Sequence, residues 1–175
     1  MKKMKNIAAA LALIMALTLA APLALAQDPA KGLVLPGDVT VELAQKAIEA
    51  GIKEAQKQGT LMNIAVVDAG GNLKAFCRMD GAFLGSIDIS IKKAVSARYL
   101  NMSTTQLGEA AQPGQELYGI EVTNNGMIIF GGGELLKDKD GTIIGAIGVS
   151  GSSVANDVAV AQAGAAAVLA ATGGK

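Results

Sequence analysis

The stretch Gly131–Asp157, GGGELLKDKDGTIIGAIGVSGSSVAND, decides how this chain is read. Seven glycines fall within it. Glycine at that density is tolerated mainly where backbone turns sharply or packs closely against something. Leu135–Lys137 and Thr142–Ser150 read as two strands joined by a charged turn, Asp138-Lys139-Asp140-Gly141. From about Ser153 the pattern changes to an Ala-rich helix that runs to Ala171.

The same grammar extends toward the N-terminus. Thr40 can cap a helix from Val41 to about Gln58, with Val41, Ala44, Ile48, Ile52 and Ala55 at helical spacing and Gly59 as its stop. Leu61–Val67 and Asn72–Met79 form a hairpin across Asp68-Ala69-Gly70-Gly71. Alternation places Leu73, Ala75 and Cys77 on one face and Lys74, Phe76 and Arg78 on the other. Leu84–Leu100 reads as a second amphipathic helix with Leu84, Ile87, Ile91 and Val95 as its apolar stripe. Thr104–Ala110 is a short helix capped by Ser103. Glu121–Thr123 and Met127–Phe130 read as two more short strands about an Asn-Gly turn. Strands joined by tight turns pair antiparallel, and helices must cover them, so the fold class is α+β with about five strands. The last helix is apolar on both sides, Val154, Val158, Ala161, Ala165 and Val168 against Ala159, Val160, Ala163, Ala166, Ala167 and Ala170. In so small a domain the second side calls for another subunit.

The chain opens with Lys2, Lys3 and Lys5, an apolar run over Ile7–Ala21, and the small-residue site Ala24-Leu25-Ala26. This is the form of a signal peptide. Pro22 and the cleavage site close the run short of the ~20 residues a stable membrane span needs. The expected organisation is a signal peptide at 1–26, a mobile lead-in at 27–39 and a single domain at 40–175. Cleavage leaves 149 residues with 12 basic and 15 acidic side chains, a net charge of −3. The mature protein is expected in the periplasm or outside the cell. A basic stripe with interleaved aromatics is absent from the sequence, so a nucleic-acid partner is not expected. The single Cys77 can form no internal disulfide, so the core must hold the fold.

Several motifs invite a catalytic reading. Gly145, Gly148 and Gly151 lie between a strand and a helix, but their G-x-x-G-x-x-G spacing matches neither the dinucleotide fingerprint nor a P-loop. Gly148-Val149-Ser150-Gly151-Ser152 approaches a nucleophile elbow, with serine in place of the last glycine. The sequence holds no His to serve as its base. A Ser–Lys pair would need Lys93. Asp138, Asp140 and Gly141 lack the remaining ligands of a calcium loop. A Cys/His metal cluster is excluded by count, and no metal site is expected. Cys77 on an alternating strand is the usual small buried hydrophobe, and its thiol would need Lys or Arg nearby to ionise. Asp157 complements the dipole of the last helix, while Lys93 and Arg98 read as a solvated face.

Taken together, Asn63-Ile-Ala-Val-Val-Asp-Ala-Gly-Gly-Asn-Leu, Arg78-Met-Asp-Gly-Ala, Ser86-Ile-Asp-Ile with Lys93-Ala94 and Ala97, Gly131-Gly-Gly, Asp140-Gly-Thr-Ile-Ile-Gly-Ala-Ile-Gly-Val-Ser-Gly, and Asp157 with Ala161 and Gly164 resemble the GlcG/HbpS-like, or haem-binding, family from Thr40 to Ala171. The resemblance implies a profilin-like three-layer α/β/α fold, homo-oligomers such as octamers, and an exported protein that binds haem or another tetrapyrrole and reports to a membrane sensor. Glu134-Leu135 departs from the family, whose members often carry an apolar residue and then proline after the glycines. On this reading Arg78, Lys92, Lys93 and Arg98 are the cations for propionates, with Asp157 beside them, and Tyr99, Tyr118 or Cys77 is the axial donor in place of His. Two further readings stand beside it. One is an enzyme on a small oxidised metabolite using Cys77 or Lys93. The other is a non-enzymatic module that partners a sensor protein.

Overall fold

The computed structural model describes residues 37–173, so the expected signal peptide and most of the lead-in lie outside the described residues. Helix α1, Val41–Gln58, starts where the Thr40 hydroxyl accepts the Leu43 N–H and stops at Gly59, whose φ of 68° suits glycine. Strands β1, Asn63–Asp68, and β2, Leu73–Arg78, form the first hairpin. The Asp68 carboxylate ties that turn by accepting the Gly70 and Asn72 N–H groups. Helices α2, Gly85–Leu100, and α3, Thr104–Ala110, follow, then strands β3, Gly133–Lys137, and β4, Ile143–Ser150, and finally helix α4, Val154–Gly173. The four strands pair antiparallel in the order β2-β1-β4-β3.

The sheet separates two unlike layers. On one side α1 and α4 pack on Ile64, Val66, Ile147 and Val149 through Ala44, Ala47, Val160 and Ala161. On the other, α2 lies over β4 and β1, where Ala94 and Ala97 meet Val67 and Ala146. This is the α+β, three-layer arrangement that the resemblance implied.

Three expectations change. Among the described residues the sheet has four strands rather than about five. Ile120–Val122 is a turn of 3-10 helix, and Asn124, Asn125 and Gly126 all adopt positive φ. The two flanking segments therefore form no hairpin. Met127–Phe130 instead crosses the helices: Ile128 donates its N–H to the Ser96 hydroxyl, and Gly108 packs directly on the Ile129 carbonyl. Second, the lead-in is anchored at its end. Val39 is buried and donates its N–H to the Ile144 carbonyl, while Asp38 accepts the Ala69 N–H and pairs with Lys74 at 3.0 Å.

Third, α2 does not bury its apolar stripe. Its hidden face is Ser86, Ser90, Lys93, Ala94 and Ala97, whereas Leu84 is 71% exposed and Ile87, Ile91 and Val95 are half-buried. Close approach explains the choice. A Cβ at Gly148 would overlap the Ser90 carbonyl, and one at Gly133 would overlap the Lys93 carbonyl. Backbone rests on backbone there, leaving no room for leucine or isoleucine. Helix α4 likewise buries one stripe, Val160, Ala161, Gly164 and Val168 with Asp157, and leaves Leu169 half-exposed. Among the described residues it is long and apolar enough to cross a membrane; its buried stripe packs on α1 and the sheet, while most of its surface stays uncovered.

Candidate functional site

The triple glycine Gly131-Gly132-Gly133 marks the corner where the two layers communicate. Gly132 has φ of 114°, and a Cβ there would lie 2.7 Å from the Val149 carbonyl and 2.8 Å from Lys93 Nζ. The space that side chain would take is filled by an ion pair. Lys93 reaches from α2 to Asp157 on α4, Nζ to Oδ2 at 2.8 Å, and donates a second bond to the Val149 carbonyl at 2.9 Å. The ring centroid of Phe130 lies 4.8 Å from the same nitrogen. Asp157 Oδ1 accepts the Ser152 N–H. Lys93 is wholly buried and Asp157 nearly so. Burial pulls the Lys93 ammonium below the usual lysine range against the opposing pull of Asp157. Burial likewise pushes the Asp157 carboxyl up, against Lys93 and the Ser152 and Gly151 N–H groups. With its bonds satisfied inside the protein, the pair is a clasp between the helical layers rather than a free cation and a free anion.

Outside this clasp lies an open groove along the edge strand β3, flanked by α3 and α4. Its apolar half, a hollow of about 490 Å³, is lined by Ile129, Gly131, Val154, Ala155 and Val158 opposite Thr105, Gly108, Glu109 and Gln112. Its polar half, about 500 Å³, shares Thr105 and Val158 and adds Ser103, Gln106, Glu134, Lys137 and Gln162. Gly131 keeps the floor open, since a Cβ there would lie 2.6 Å from Val158 and 2.7 Å from Thr105. The Thr104 hydroxyl fixes the crossing by accepting the Gly133 N–H at 2.8 Å. Half-burial raises the Glu134 carboxyl above its ordinary range, opposed by a hydrogen bond from Gln162.

The residues expected to share one site are dispersed. Arg78 is exposed and pairs with Asn63 at one end of β1. Arg98 stands beyond Ala97, which packs on Val67 toward the other end, and donates to Asn101. Lys92 is paired with Asp88 at 2.9 Å. Lys93 and Asp157 are the clasp, not a solvated face and a simple dipole complement. Tyr99 lies against Gly71, and Tyr118 is exposed in the loop after α3. Cys77 is half-buried on β2 beside a separate hollow whose cation, Lys74, is held by Asp38. Ser150, the serine of the elbow-like motif, is buried at the end of β4. Of the groove, the sequence marks the glycines and the departure at Glu134 as features of note, while Ser103, Val154 and Val158 stand out in it only as a helix cap and a helix stripe. The polar spacing Ser86, Ser90, Lys93 on α2 was the signal that could have revealed the clasp.

Residues 39–166 match the family model described as "Haem degrading protein HbpS-like". The chain belongs to the HbpS-like family. Within reach of that family, it is 40% identical to an uncharacterized 15.0 kDa protein of the dhaT-dhaS intergenic region of Citrobacter freundii, over 71% of this chain and 87% of the relative. It is 34% identical to the corrinoid adenosyltransferase PduO of Salmonella typhimurium over 83% of this chain, but spans only 44% of that protein. A crystal structure of a PduOC:heme complex superposes with a TM-score of 0.70 at 34% identity, covering 74% of this chain and 94% of the other. The HbpS-like match begins at Val39, which is buried and donates its N–H to the Ile144 carbonyl.

Proposed function

We propose that this HbpS-like protein binds a tetrapyrrole, haem being the first candidate, in the groove between α3 and α4, without chemistry of its own. The observation that carries this is the PduOC:heme complex, which has the same fold at 34% identity over nearly all of its length. The groove supports it in shape and surface, with an apolar wall of Ile129, Val154 and Val158 and hollows of the size that holds small molecules. The fit is to the macrocycle rather than to its iron. Thr105, Glu109, Gln112 and Glu134 offer oxygen atoms, whereas among the described residues neither hollow is lined by a Tyr, Cys or Met, and the sequence has no His. Tyr99, Tyr118 and Cys77 lie elsewhere, so the binding we propose rests on apolar contact. Bound haem would bring redox-active iron, and the chain's residues would hold its ring and shield one face from water.

We further propose export by the segment 1–26 and self-association through the uncovered apolar surfaces of α2 and α4. Leu84, at the start of α2, and Leu169, on α4, are 71% and 50% exposed and would be covered in such an assembly. Titration with haemin tests the binding. A shifted Soret band that saturates in the native protein and is lost in Val158→Glu, with unchanged far-ultraviolet circular dichroism, is the expected result. No Soret change in the native protein would sink the reading.

A further inference from the structure

Glu134 is the odd member of the groove. It stands on β3 opposite Ile147, on the sheet face that α4 covers, and contributes a carboxyl to a hollow otherwise lined by neutral side chains and Lys137. Glu109, on α3, adds a second carboxyl at the apolar end. From α4 the groove receives Gln162, which is neutral and bonds Glu134. The charged groups facing the ligand space are thus two carboxyls and one ammonium. Such a lining disfavours a carboxylate-bearing guest, since like charges brought together in a half-dry site repel more strongly than in water.

We propose that Glu134 sets the charge selectivity of the groove, admitting a macrocycle whose rim at that end is uncharged and opposing one that places a carboxylate there. This rests on the tetrapyrrole reading above and adds to it the class of ligand preferred, a ring with amide or ester substituents over one with free propionates. The raised affinity of Glu134 for its proton adds a consequence: the opposition weakens as pH falls through the folded-state pKa of this carboxyl, which burial lifts above its ordinary range.

The test compares haemin with haemin dimethyl ester on the native protein and on Glu134→Gln, at about pH 5.5 and pH 8. The substitution keeps size and hydrogen-bonding capacity. At the higher pH it is expected to tighten haemin by roughly fivefold, the worth of one partly screened charge contact. The gain shrinks at the lower pH, and the ester binds both proteins alike at both. The gain at the higher pH, with the ester indifferent, is the decisive reading, because protonation of the propionates at the lower pH shrinks the gain as well. Equal haemin affinity for the two proteins at both pH values would overturn the assignment of Glu134 while leaving tetrapyrrole binding intact. If neither ligand binds either protein, the tetrapyrrole reading is overturned instead, and this inference with it.

Discussion

The two faces of the sheet are built on opposite principles. The side covered by α1 and α4 is an aliphatic core, in which Ile64, Val66, Ile147, Val149 and Val160 exclude water by bulk. The side covered by α2 is thin. Serines, alanines and Lys93 form its inner surface, and glycines at 133 and 148 let the helix backbone touch the strands. The first layer is held by apolar area, which is forgiving of small changes in shape. The second is held by close backbone contact and one ion pair, which are not. The candidate groove opens beside that second kind of contact, at the corner where the Lys93–Asp157 clasp ties the layers together.

Mutations should separate the faces. Asp157→Ala leaves the Lys93 ammonium buried without its partner and is expected to cost about 3–5 kcal/mol in denaturant unfolding. The double change Lys93→Met with Asp157→Leu should cost clearly less, because no unpaired charge remains. A single substitution as mild as the double one would break the account of the clasp. Gly148→Ala forces α2 away from β4 and is expected to cost about 3 kcal/mol, at the upper end for overpacking. On the other face Val160→Ala removes two methyl groups from a compliant aliphatic layer. About 2 kcal/mol is expected, and a loss larger than that of Gly148→Ala would reverse the contrast.

The smallest effect concerns the anchored lead-in. Asp38 is half-hidden, and although burial opposes it, the Ala69 N–H and Lys74 hold its carboxyl below the usual range. A depressed carboxyl stabilises the fold above its unfolded value and loses that contribution as pH falls through its folded one. Asp38→Asn should therefore cost about 1–2 kcal/mol near neutrality and almost nothing once the native carboxyl is protonated in strong acid. A penalty independent of pH would show that shape, not charge, anchors Asp38.

What was legible in the sequence follows the same division. The aliphatic layer is legible: Val41–Gln58 carries its cap and buries Ala44, Ile48 and Ala55 of its stripe, although Val41 is 54% exposed, and β1 and β4 carry apolar runs. The family was legible too, because its motifs sit where glycines are structurally required. The α2 layer departs from its sequence pattern because a helix normally buries its largest apolar residues, and here glycine contacts reverse that preference. The Asn124-Asn125-Gly126 hairpin failed because three successive left-handed residues turn the chain across the helices instead of back along a strand. Residues of the groove come from α3, β3 and α4 and the crossing segment, and nothing in their local spacing signals that they converge.

Relaxation mapping of the isotope-labelled protein with bound ferric haemin tests the central claim most directly. The iron broadens the amide signals nearest to it. The account predicts that broadening centres on Thr105, Gly131 and Val158, with Arg78 and Tyr99 unaffected. Broadening centred on Arg78, or on Arg98 and Tyr99, with the α3–α4 groove untouched, would contradict it.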